Sequence, residues 1–384
     1  MKNFKLILKS LINNNACVEG GRSKRWWFAI IMVLISMILA LVPTLVSRLN
    51  TKGDDFVKNS TNNYDVGVLR FSEALEEKGL EMTIETVNNE KKMVLKKGEL
   101  TGQAAWDAAF EEEYNPGYHV YTHKNYDGKE DLQVFFISED IASTNIREKY
   151  LNKFSFDEEG KEVKTARTCS FLVFGELTMR TRLYTSSGSA SGNELLGDYK
   201  HFSDGYSFST LGTIEIDGTK YHSEKAIKDA GLGVEAYQQY LNKSWNDWKD
   251  FLRVSYLNKK TIDLWVNLAS LFGVNVAITF FMGLMLFILT RGKANPYRVY
   301  NFWETQKMVY WGTITPAVLA LIVGFIPLFN IGQIIFPLLL GVRIMWMSMK
   351  SLNPQSGTPV FPKPEKHNPA NAGKVKTVKA KFAK

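Results

Sequence analysis

The chain has 384 residues, with 47 Lys and Arg against 39 Asp and Glu, for a formal charge of +8. That surplus is not a nucleic-acid footprint, because 27 basic and 35 acidic residues lie between Asn50 and Lys260, while the rest holds 20 basic residues against 4 acids. The outlying positive charge flanks long apolar runs, the placement a positive-inside bias produces. The mean hydropathy of −0.15 therefore averages two unlike parts and does not mark a soluble chain.

Two cysteines, Cys17 and Cys169, are separated by the first apolar run. The topology below places them on opposite sides of a membrane, so they should not pair. A segment of about 210 residues can bury a core without a disulfide.

Residues 1–25 form the first segment. Phe4, Ile7, Leu8, Leu11 and Ile12 recur at helical spacing beside Lys2, Lys5 and Lys9. This predicts a cytoplasmic amphipathic helix, lying either on the inner leaflet or on the protein's own cytoplasmic loop. Arg22, Lys24 and Arg25 then precede Trp26 and Trp27, the order of an inner membrane boundary. The run from Trp26 to Val46 matches the roughly 20 residues that cross a bilayer core. We read 26–48 as the first transmembrane helix. It is longer than a signal-peptide core and has no A-x-A-like end, which favours an uncleaved anchor. Cys17 precedes the run, so a bacterial lipoprotein cysteine is excluded.

Residues 49–260 predict an extracytoplasmic α+β domain with a mostly antiparallel sheet. A helix begins near Asp65 and stops near Gly79, and Gln103 to Tyr114 also has a helical pattern. Ser138 is positioned to cap a helix running to Leu151. Hairpins are predicted around Asn88-Asn89, around Asn125 to Gly128, between Thr168 and Leu183, and around Asp217-Gly218. Thr185 to Gly197 has the composition of a flexible loop. Val234 to Tyr256 predicts a helix leading into the second span. Its aromatic face, including Tyr237, Tyr240, Trp245, Trp248 and Phe251, either packs on the domain or offers a sugar-stacking platform.

Residues 261–350 predict three further spans, over Leu264 to Leu289, Met308 to Phe329 and Ile331 to Met349. The basic loop Arg291 to Lys307 is expected in the cytoplasm, and a short link near Asn330 makes an outward-facing hairpin. The whole is an integral membrane protein with four α-helical spans in the cell membrane, both termini cytoplasmic. The tail, 351–384, carries Lys363, Lys366, Lys374, Lys376, Lys379, Lys381 and Lys384 against one acid, Glu365. It is expected to be disordered when free and to meet anionic lipid rather than a specific nucleic acid.

No phosphate-binding loop is present, and Gly188 to Gly192 resembles a nucleophile elbow only loosely. His119 and His123 lack a nearby third ligand, and Glu111 to Glu113 reads as a solvated helix end. No catalytic residue, cofactor or metal is therefore predicted. Asn267, Asn275, Thr315, Gln333 and Arg343 are the intramembrane polar positions that carry information, as helix packing or as a transport path. Arg343 is near enough to the inner boundary to snorkel.

The start Met1-Lys2-Asn3-Phe4 to Ser10-Leu11, the span after a basic cluster, the outer domain and Tyr310-Trp311-Gly312-Thr313-Ile314-Thr315-Pro316 together resemble a bacterial family labelled maltodextrin-utilisation membrane proteins. The last segment is also similar to the Thr-x-Pro region of Yip-type membrane proteins. The resemblance implies a link to carbohydrate uptake and carries no residue-level role. The expected function is a non-enzymatic accessory subunit that binds a ligand or partner and joins other membrane proteins in the lipid bilayer. The alternative is a homo-oligomeric small transporter or channel.

Overall fold

The structure, a computed structural model, describes residues 2–57, 64–111, 114–115, 118–141, 143–156, 159, 161–185, 188–326 and 332–362. The chain divides into two compact units, Met1–Leu49 with Leu264–Lys384, and Asn50–Asp263.

The first unit opens with α1 (Lys2–Ile12), α2 (Asn14–Ser23) and α3 (Trp26–Asn50). Asn13 separates the first two and caps α2, its side chain accepting the Asn15 amide. Leu6 and Ser10 of α1 are buried against the protein, whereas Phe4, Leu8 and Ile12 form an exposed row. The predicted amphipathic helix thus has one face packed on its own chain and a second apolar row left outside.

The second unit holds the sheets. Helix α4 (Tyr64–Glu77) ends before Gly79, whose positive φ turns the chain. Strands β1 (Glu81–Val87) and β2 (Glu90–Lys97) pair antiparallel across Asn88-Asn89, both with positive φ, as a two-residue hairpin turn requires. Then come β3 (Leu100–Thr101), α5 (Gly102–Ala109), β4 (Tyr114–Asn115), β5 (Tyr118–His119), β6 (Tyr121–Lys124) and β7 (Glu130–Ile137). Helix α6 (Thr144–Leu151) is followed by β8 (Asn152–Phe156), β9 (Glu162–Ala166), β10 (Ser170–Gly175), β11 (Thr178–Tyr184) and β12 (Ala190–Asp198). The unit closes with β13 (Tyr206–Ser207), β14 (Ile214–Ile216), β15 (Thr219–Tyr221) and α7 (Glu224–Asp229).

A five-stranded sheet has the order β12-β11-β10-β7-β6, and a four-stranded sheet the order β13-β1-β2-β3. Only β10 and β7 pair parallel within the larger sheet; its other pairs are antiparallel, in keeping with an α+β domain. The core is aromatic: Phe71, Trp106, Phe174, Phe208, Trp248 and Phe251 are all buried in one cluster. Their polar ring edges are satisfied where they need to be. Trp248 Nε1 donates to Ser72 Oγ at 3.0 Å, and Trp106 Nε1 to the His119 carbonyl at 3.0 Å.

Helix α8 (Val234–Leu289) is continuous over 56 residues. Its first part belongs to the sheet unit, where Tyr240, Trp248, Phe251, Leu252 and Tyr256 are buried. Of the rings offered for sugar stacking, Tyr240, Trp248 and Phe251 fill the core, while Tyr237 and Trp245 are half-buried. Near the start of the unit, Asp54 is fully buried and takes Arg253 Nε and Nη2 at 2.8 and 3.0 Å. A Cβ on Gly53 would sit 1.9 Å from the Leu252 carbonyl oxygen, so only glycine permits this approach.

Three sequence expectations for this unit are corrected. Thr185 to Gly197 is not a loop throughout, because β12 pairs with β11 along the edge of the larger sheet. The helix expected from Ser138 begins at Thr144, capped by Ser143. Ser138 instead donates its amide to Gln103 Oε1 at 3.0 Å, just past the end of β7. The helix over Gln103 to Tyr114 ends at Ala109.

Back in the first unit, α9 (Phe302–Gly312) and α10 (Ile314–Gly324) meet at Thr313, and α11 (Gly332–Lys350) follows. By length and composition, Trp26–Asn50, Val234–Leu289 and Phe302–Gly324 are apolar enough to cross a membrane. The third of these begins earlier than the sequence predicts, and the link near Asn330 lies outside the described residues. Small residues let helices of this unit approach: a Cβ on Gly20 of α2 would meet the Trp311 ring at 2.4 Å, and one on Gly324 would meet Pro43 at 2.7 Å.

The tail expectation is corrected for 351–362, which is packed. Tyr297 Oη donates to the Thr358 carbonyl at 2.7 Å, and the Phe361 amide donates to Tyr300 Oη at 3.3 Å. The tail lysines from Lys363 onward lie outside the described residues.

Candidate functional site: a cleft beside Arg343

Arg343 projects from α11 into the meeting point of α1, α2 and α9. It is 9% exposed. Nη1 donates to the Gly312 carbonyl at 3.0 Å, Nη2 to the Ser10 carbonyl and to Cys17 Sγ, and Nε to Asn14 Oδ1 at 3.3 Å. The helix ends explain these partners. Ser10 and Gly312 lie in the last turns of α1 and α9, where carbonyls lack intrahelical donors and a cation is favoured. The snorkelling expectation is therefore corrected, because the guanidinium turns into the protein.

Cys17 is fully buried in the same cluster and donates to the Ser10 and Trp311 carbonyls, each at 3.6 Å. Burial pushes its thiol up to about 11, against the opposing pull of Arg343. It is a protonated packing thiol at neutral pH, not an activated nucleophile. Cys169 is likewise free and buried.

Beside this cluster lies a cleft of about 650 Å³, lined by apolar and polar side chains in equal number. Leu319, Leu339, Val342 and Trp346 form its apolar walls, with Arg343 and Thr315 between helices and Lys350 at the end of α11. Thr315 Oγ1 donates to the Leu11 carbonyl, another open group at the end of α1.

The sequence-predicted positions separate into different places. Thr315 and Arg343 come together at the cleft. Asn275 is buried within α8, where its carbonyl accepts Thr279 Oγ1 at 2.7 Å, and Asn267 is partly buried one segment earlier. Neither Asn267 nor Asn275 lines the cleft. Gln333 falls within α11, with its side chain outside the described residues.

Other polar ties join the helices, and of their residues Gln306 and Ser36 were not singled out by sequence. Gln306 Nε2 donates to the Phe280 carbonyl at 2.8 Å, pressed against Gly283 where a Cβ would come within 2.3 Å. Thr313 Oγ1 donates to Ser36 Oγ at 2.8 Å. Arg22 pairs with Glu304 and stacks over the Tyr300 ring at 5.1 Å, while Lys307 Nζ donates to the Lys24 carbonyl at 2.9 Å. Thus Arg22 and Lys307, which the sequence reads as flanking charges, are buried structural cations. A run of mixed charges before an apolar stretch gives no sign of which member turns inward.

In the sheet unit, a charged hollow of about 550 Å³ is lined by Arg70, Glu73, Glu224 and Lys228 among others. Its central charges pair: Arg70 Nη1 bonds Glu73 at 2.7 Å and Glu224 at 2.6 Å. The Lys228 bond to Glu224 holds that carboxyl below its usual range, burial works the other way, and Arg70 adds to the lowering. His123 pairs with Asp131 at 2.6 Å, whereas His119 Nδ1 lies 3.0 Å from the Phe110 carbonyl. Among the described residues no group of three or more His, Cys, Asp or Glu is placed to hold a metal.

The class these features define is a protein with long apolar helices suited to a membrane and a separate sheet-rich unit. Searches against family models, curated proteins and solved structures find no match for the chain.

Proposed function

We propose that this chain is a four-span protein of the cell membrane, with α11 as the fourth span, both termini cytoplasmic and the sheet unit extracytoplasmic. It acts as a non-enzymatic accessory subunit. The sheet unit binds a ligand or partner, and the helical unit docks on a larger envelope or transport complex. The resemblance to maltodextrin-utilisation membrane proteins points that complex toward carbohydrate uptake.

What carries this reading is the use made of polar groups in the helical unit. Arg343, Gln306 and Thr313 each tie one helix to another. Such groups hold a scaffold together, whereas a path needs polar side chains facing a shared passage. Outward faces of α3 and α8 are apolar, with Ile31, Leu34 and Ile38 on one and Val274, Phe281 and Met285 on the other exposed. Those faces suit lipid or neighbouring membrane helices.

Native purification from gently solubilised membranes tests the proposal. A discrete complex containing a second polypeptide is the expected outcome. A monodisperse chain with no co-purifying polypeptide across several detergents contradicts it.

A further inference from the structure

We propose that the cleft beside Arg343 holds one anionic phospholipid, with an acyl chain against α10 and α11 and its phosphate at the Lys350 end. This rests on the helical unit being membrane-embedded, and it adds a ligand to that reading.

The lining is graded. Along α11 it runs Leu339, Val342, Arg343, Trp346 and Lys350, apolar at one end and cationic at the other. From Leu339 to Lys350 the cleft follows about 16 Å of helix. Asn13, Asn14 and Asn15 stand at its edge, in the turn between α1 and α2. An amphiphile with a long apolar part and a compact polar head matches that order.

The charge is also one-sided. Among the described residues, Arg343 and Lys350 line the cleft and no acid does. The partners of Arg343 are carbonyls, an amide oxygen and a thiol, none of which neutralises its charge. A buried cation such as Arg343 favours an incoming anion, and Lys350 adds an exposed one at the end of α11. A phosphate supplies one, and an anionic headgroup adds no cation of its own.

The surroundings fit a lipid interface. Phe4, Leu8 and Ile12 make an exposed apolar row on α1 with exposed Lys5 and Lys9 along one side, a pattern that suits a helix in a headgroup layer. Ile12, at 93% exposure, is also a lip of the cleft. Trp346 is exposed at the same mouth, a residue type that gathers at headgroup level.

The test uses the full chain in mild detergent and native mass spectrometry. Phosphatidylglycerol and phosphatidylcholine with identical acyl chains are titrated separately. The wild type is expected to keep a single phosphatidylglycerol and to prefer it by about fivefold or more, the ratio one lysine gains near an anionic headgroup. Lys350→Ala should lower that preference by about fivefold. Leu339→Trp and Leu319→Trp fill the cleft from opposite walls, and each should lose the adduct. If one of them misfolds, the other and Lys350→Ala still decide.

Equal retention of both lipids, or an adduct that survives a folded Trp variant, overturns the proposal. A wild-type dimer that both Trp variants abolish assigns the cleft to a second copy and overturns it too. A chain that needs detergent for extraction yet shows no lipid preference contradicts the lipid site alone. Release from membranes by alkaline carbonate contradicts membrane embedding itself.

Discussion

Arg343 fastens three chain segments through one planar group. Its donors meet the carbonyl ends of α1 and α9 and the side chain that opens α2. Substitution Arg343→Leu leaves the Ser10 and Gly312 carbonyls buried without that donor. Each lost partner costs about 1–3 kcal/mol. We expect a net destabilisation of about 3 kcal/mol, read as a lower thermal unfolding midpoint of the full chain in detergent. Unchanged unfolding with altered solute flux would instead support the transport alternative. The sequence singled out Arg343 because an ionisable side chain in an apolar run stands out. Its partners were not legible, because backbone carbonyls leave no mark on residue identity. Asn14 and Cys17 joined the cluster only when the chain folded, since nothing in their spacing relates them to a position more than 300 residues away.

At the scale of elements, β12 shows where composition misleads. Ser and Gly in that segment have low intrinsic preference for a strand. Pairing with β11 overrides it, from Thr178↔Asp198 to Tyr184↔Ala190, with an irregularity between Thr181 and Leu183. Gly197 there reflects crowding: a Cβ would lie 2.8 Å from Ser255 and 3.0 Å from Met179 Sδ. Leu195, fully buried in the main core, provides the test. Leu195→Ala should destabilise the protein by about 2–5 kcal/mol, measured by thermal or denaturant unfolding. A change within about 0.5 kcal/mol is what a surface loop would give. Other elements were readable because their signals are local. The Asn88-Asn89 and Asp217-Gly218 turns fix their hairpins by backbone conformation, with φ between 50° and 78° at all four residues. Helix α8 announced itself by a long apolar and aromatic pattern. The break at Thr313 between α9 and α10 did not, because Gly312-Thr313-Ile314 reads as one apolar run.

For the whole molecule, the division into a helical unit and a sheet unit follows from the segregation of charge and apolar runs along the chain. The proposed function places the sheet unit on the side opposite both termini. The basic residues around Arg291 to Arg298 set that expectation, although Arg22 and Lys307 are engaged inside the fold and contribute less to a surface bias. Reporter fusions after Asn50, Lys260, Lys293, Asn330 and Lys384 measure the arrangement directly. Outside signals at Asn50, Lys260 and Asn330, with inside signals at Lys293 and Lys384, are the predicted result. An outside signal at Lys293 or Lys384 would contradict it.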